Sequence, residues 1–149
     1  MLVSVLLVVV CAHVVADDFM PMSSVPGGTI TVNYGQAAVS PFAIGTYEVT
    51  AAQWVEVMNW ALQNGKLTSP SDSSARSLKL GGAALFDLDN RFCYITFQDG
   101  RFQVDSDYRE YPAIGISWYG TAVFCNFLSA REGLNPCYDL QDFSCDYSQ

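Results

Sequence analysis

The pattern of apolar and polar positions changes character several times along the chain. Residues 1–16 are apolar almost throughout and then give way to Asp17-Asp18. Further on, Trp54, Val57, Met58, Ala61 and Leu62 recur at helical spacing, which predicts one buried stripe on a helix from Ala51 to Gln63. Thr50 is its N-cap, Gln53 stands three positions later as the reciprocal partner of a capping box, and Gly65 is its stop. A second helix is predicted from Trp118 to Arg131. Ser117 caps it, Ala122, Cys125 and Leu128 with Phe124 and Phe127 give it a broad apolar face, and Gly133 ends it.

Shorter runs predict strands. Thr29-Ile30-Thr31-Val32 has the branched residues of a half-buried strand, and 42–49 is a second, with Phe42 and Ile44 alternating before Gly45. Cys93-Tyr94-Ile95-Thr96-Phe97 and Phe102-Gln103-Val104 flank Asp99-Gly100, the signature of a hairpin. Residues 113–116, after Pro112, read as a short strand. The Ser-rich stretch 66–80 shows no period and reads as a loop. Phe86-Asp87-Leu88-Asp89-Asn90 is acidic but lacks the ligand spacing and terminal Glu of a calcium loop, so it reads as a solvated loop.

Composition narrows the class. Hydrophobic residues make up 50% and charged residues 15%, a globular balance that excludes a long disordered chain. Lys+Arg 7 against Asp+Glu 15 leaves a net charge of -8, and the clustered cations that phosphate binding needs are missing. Nucleic acid is therefore excluded as a partner.

The leader changes the chemistry that is available. Residues 1–16 are too short to span a bilayer and end in Val14-Val15-Ala16, small enough for signal peptidase, so 1–16 is read as a signal peptide. A buried strand and an uncleaved anchor are the alternatives. Export to a secreted or periplasmic location follows, with membrane contact only through that signal. Cleavage would remove Cys11 and His13 and leave Cys93, Cys125, Cys137 and Cys145 with no histidine, which excludes Ser-His-Asp and Cys-His catalysis within the chain. Of the three pairings open to four cysteines, Cys137 with Cys145 is the disulfide candidate, since the two flank a short polar segment. Cys125, among apolar helix residues, reads as a buried thiol.

After an irregular lead-in at 17–26, the order of motifs is colinear with a known pattern. Gly27-Gly28-Thr29, Ile44-Gly45-Thr46-Tyr47-Glu48-Val49-Thr50, Gln53-Trp54, Ile116-Ser117-Trp118 and Phe124-Cys125-Asn126-Phe127-Leu128-Ser129 together resemble the formylglycine-generating enzyme, or sulfatase-modifying factor, family. The resemblance implies an α+β architecture, specifically a C-type-lectin-like fold, C-terminally truncated, with 27–149 as a partial domain. The family's second helix is followed by a Gly-Tyr-Arg-Leu-Pro-Thr-Glu stretch that does not occur before Gln149. Complete members oxidise a sulfatase cysteine to formylglycine, and the resemblance implies copper and calcium for them. It implies no catalytic residue and no cofactor for this chain, because none of the four cysteines matches the copper-binding pair. Glu48 is the single metal candidate, matched to a calcium-bearing region. Its alternative role is a glutamate beside a helix N-terminus.

Two functions follow as expectations. One is the N-terminal, non-catalytic fragment of an exported formylglycine-generating-type protein, with a sulfatase or other peptide as partner of the complete protein. The other is a secreted binding module in which Tyr108, Tyr111, Trp118 and Tyr119 form an aromatic surface, although core packing is the expected place for Trp118. The fragment reading also expects apolar helix stripes left uncovered.

Overall fold

The computed structural model describes residues 9–10, 19–33, 35–68, 77–80, 83–142 and 144. It divides into two units, Leu7–Glu48 and a larger one that holds Val49–Gln149.

The smaller unit is all β. Strand β1 (Val9–Val10) and β2 (Met22–Val25) pair antiparallel with opposite edges of β5 (Phe42–Gly45), in the order β1-β5-β2. Val9 and Val10, read from sequence as part of a leader, thus lie opposite Ile44 and Ala43, while the rest of that leader lies outside the described residues. Strands β3 (Gly28–Val32) and β4 (Gly35–Val39) form a separate two-stranded ribbon. The strand expected at Thr29 to Val32 is present, but it is exposed along its whole length rather than half-buried. A two-stranded ribbon has no second layer to cover either face. The strand expected over 42–49 stops at Gly45, after which a last rung in the same register with β2 has the Thr46 N–H donating to the Pro21 carbonyl at 2.8 Å.

The larger unit contains both helices. Helix α1 spans Ala51–Gln63, with the capping box complete: the Thr50 side chain accepts from Gln53 N and the Gln53 side chain accepts from Thr50 N. The next orphan donors are satisfied from outside the helix, since Ala51 N donates to Tyr111 O and Ala52 N to Arg109 O. Its far end is a Schellman seal, in which Gly65, at φ 65, donates to Leu62 O and Lys66 donates to Ala61 O. Helix α2 (Trp118–Arg131) ends the same way, with Gly133 at φ 72 donating to Ala130 O and Leu134 to Ser129 O.

Two hairpins cover the helices. β6 (Ser77–Leu80) pairs with β7 (Ala83–Asp87), and β8 (Ile95–Gln98) pairs with β9 (Arg101–Val104) through a turn in which Asp99 (φ 52) and Gly100 (φ 74) are both left-handed. β6 lies within the stretch 66–80 that the sequence predicts as a loop, because four residues with one lysine give no period. Phe86 and Asp87 belong to β7, and Phe86 is buried. The acidic turn begins only afterwards. The strand expected over 113–116 is reduced to bridges, Thr50 with Pro112 and Phe86 with Ile116, because Gly115 turns the chain at φ 84 between them.

The core is centred on Trp54, which is 0% exposed. It stacks on Phe86 at 4.3 Å and meets Phe102 edge-on at 5.3 Å, so one side chain of α1 joins β7 and β9. Val57, Met58, Ala61, Val123 and Phe124 are buried around the two helices. The apolar stripes expected to lack cover are therefore enclosed by this chain's own hairpins and by each other.

α2 approaches β7 unusually closely. Ser117 N donates to Leu85 O at 3.0 Å, Ser117 Oγ donates to Ala84 O at 2.5 Å, and a Cβ placed on Gly120 would collide with the Leu85 carbonyl. Gly120→Ala should cost about 1–3 kcal/mol by overpacking, read as a lower urea midpoint at unchanged slope. Thr121→Ala, on the same turn but half-buried, is the comparison and should cost less.

Candidate functional site

Two aromatic groups stand at the surface of the larger unit. The first is a tyrosine triad. Tyr94, just before β8, lies parallel to Tyr108 with ring centres 3.8 Å apart and planes at 1°, and Tyr111 meets both edge-on at 5.7 and 5.5 Å. Tyr108 closes a 3-10 turn, Ser106–Tyr108, whose N-cap Asp105 accepts from Asp107 N. That turn is held in place because the carbonyls of Arg109 and Tyr111 receive the first amides of α1. Tyr111 is exposed, and Tyr94 and Tyr108 are half-buried.

The second group begins α2. Trp118 meets Tyr119 edge-on at 5.5 Å and Tyr138 edge-on at 6.2 Å, and it is 56% exposed. The expected core placement of Trp118 is thus wrong. It is the first helical residue after Ser117, and the close seating of Gly120 on Leu85 gives the inward face of that turn to a residue without a side chain. Tyr119 is exposed as well. The four aromatic residues expected to share one surface fall into two groups, Tyr108 with Tyr111 and Trp118 with Tyr119. Tyr94 and Tyr138 complete them and were not anticipated.

Two asparagines fix the supporting backbone. Asn126, 6% exposed on α2, donates from Nδ2 to Tyr138 O at 2.7 Å and accepts from Tyr138 N at 3.1 Å. Asn59 does the same from α1, donating to Phe102 O at 2.9 Å and accepting from Phe102 N at 2.8 Å. Each amide imitates a neighbouring strand and satisfies one residue's donor and acceptor together. The signal was available in the sequence: an asparagine inside an apolar helix face must find partners. What it holds was not.

The remaining sequence candidates are Glu48 and the cysteines. Glu48 is exposed, and among the described residues no group of three His, Cys, Asp or Glu side chains is placed to hold a metal. Cys145 lies outside the described residues, so the Cys137–Cys145 pairing does too, and Cys125 is half-buried rather than buried. Cys93 is half-buried, and its Sγ accepts from Ile95 N at 3.4 Å and donates to Ile95 O at 3.5 Å. Burial pushes its thiol above the ordinary value against the smaller opposing effect of the Ile95 hydrogen bond, and the nearby Asp87 charge pushes the same way as burial.

The Cys93 environment favours the protonated form in the folded state, so its contribution to stability is intact below the ordinary thiol pKa and is lost as pH rises through the raised value. Alkylation by iodoacetamide at neutral pH should therefore be slower at Cys93 in the folded chain than in the urea-unfolded chain. Equal rates would refute the stated environment.

The comparisons agree with the motif order. No curated protein and no solved structure matches the chain. Residues 14–142, by contrast, match the family profile described as Sulfatase-modifying factor enzyme 1-like domain. That span takes in both helices, both hairpins and both aromatic groups, and the chain belongs to this family.

Proposed function

We propose that this chain is the scaffold-bearing N-terminal part of an exported, formylglycine-generating-type protein, and that it does not itself carry the oxidation. The single observation behind this reading is the family match over residues 14–142, carried on a well-packed support of two helices and their hairpins. Cys93 is engaged by the backbone of Ile95, and burial pushes its thiol above the ordinary value. The C-type-lectin-like architecture, the truncation and the leader at 1–16 belong to the same proposal.

Copper and calcium are the cofactors of the complete domain under this reading, and an exported sulfatase or another cysteine-bearing polypeptide is its partner. In such a domain copper supplies dioxygen activation and stabilises a substrate thiolate. The residues present here supply position: α1 and α2 are locked to their hairpins, and Asn126 holds the segment at Tyr138 against α2. Glu48 is exposed and free to take a calcium-linked role only with further oxygen ligands.

The exposure of Trp118 favours a second reading, a secreted binding module that grips an extended polypeptide on its aromatic surface. A large aromatic side chain exposed at the start of a helix whose inner face is buried is a natural anchor. The net charge of -8 disfavours an acidic ligand for it.

The two readings separate in one assay series. Copper-loaded chain incubated with a cysteine-containing sulfatase-type peptide should form no aldehyde, and aldehyde formation would contradict the proposal. Titration of the same peptide should leave tryptophan fluorescence unchanged under the first reading. A saturable change that Trp118→Ala abolishes would establish the second.

A further inference from the structure

The seal that ends α1 is built on a dipeptide with chemistry of its own. Asn64 is the C-cap of α1 and Gly65 follows it. Attack of a backbone nitrogen on the preceding asparagine side chain is limited by steric cover of that nitrogen, and glycine gives the least. Asn64 and Gly65 are both exposed, and no atom lies within 4 Å of where a Cβ on Gly65 would sit.

No other asparagine combines these features. Asn59 and Asn126 have both amide atoms held by backbone partners. Asn135 precedes Pro136, which has no N–H to give up. Asn33 and Asn90 precede Tyr34 and Arg91, whose side chains crowd the attacking nitrogen.

We propose that Asn64-Gly65 is a spontaneous deamidation site of the folded protein, gated by opening of the last turn of α1. Gly65 N gives its proton to solvent base and bonds to Asn64 Cγ. The Cγ–Nδ2 bond breaks, and the nitrogen leaves as ammonia after taking a proton from water. Water then opens the cyclic imide at either carbonyl, leaving aspartate or isoaspartate, so the net change is one water consumed and one ammonia released.

Closed, the turn resists this chemistry. Gly65 N–H donates to Leu62 O at 3.2 Å and Asn64 Nδ2 donates to Trp60 O at 2.8 Å. Both bonds must release, and helix ends fray at low free-energy cost. The product opposes reclosure. A carboxylate replaces the Nδ2 donor and faces the carbonyl end of α1, where negative charge is unfavourable. Isoaspartate also lengthens the backbone by one carbon, which removes Gly65 and Lys66 from the register of the seal. Leu67, 4% exposed and tied through its N–H to Ala61 O, loses its anchorage.

The test is incubation of the full chain at mildly alkaline pH, followed by peptide mapping with mass detection. The Asn64 peptide should gain the mass of an amide-to-acid conversion several-fold ahead of the Asn33 and Asn90 peptides and split into two chromatographic products. Asn64→Gln should abolish that gain, and Leu67→Ala, which loosens the turn, should speed it several-fold. Conversion at Asn33 or Asn90 ahead of Asn64 would overturn the proposal, as would a rate unaffected by Leu67→Ala.

Discussion

The larger unit depends on the enclosure of Trp54. One indole on α1 is stacked on Phe86 and edged by Phe102, so it fastens the helix to two hairpins that do not share a sheet. Its N–H finds no hydrogen-bond acceptor among the described residues, a cost of about 1–3 kcal/mol for a buried donor. Burial of a side chain this large, in contact with two other rings, outweighs that cost. By comparison the ion pair of Arg131 with Glu56, 2.8 Å long between partly exposed side chains, adds about 0–1 kcal/mol. The helices are joined by apolar contact first and charge second.

The aromatic surface of the larger unit follows from that enclosure. With α1 fixed, its first amides bind the carbonyls of Arg109 and Tyr111 and set the tyrosine triad in place. With β7 fixed, Leu85 receives Ser117 and admits Gly120, and α2 begins with Trp118 turned to solvent. Asn126 then holds the backbone at Tyr138, whose ring meets Trp118. These contacts together hold two groups of aromatic rings at the surface of the larger unit.

How much of this was legible in the sequence depends on whether the cause was local. Both helices, their caps at Thr50 and Ser117 and their stops at Gly65 and Gly133 were readable, because each is fixed within a few residues. The Asp99-Gly100 turn was readable for the same reason. The β6 strand was not, since its partner rather than its own pattern makes it a strand. Trp118 was misplaced because its exposure is decided by the distant Leu85 carbonyl. The motif order carried the family without any of these details.

Two tryptophans have opposite tasks, Trp54 holding the core and Trp118 facing out, and urea denaturation of single alanine variants tests this most directly. Trp54→Ala should lose about 3–5 kcal/mol of stability, or fail to fold, while Trp118→Ala should change it by no more than about 0.5 kcal/mol. Equal losses at the two positions, or a larger loss at Trp118, would contradict it.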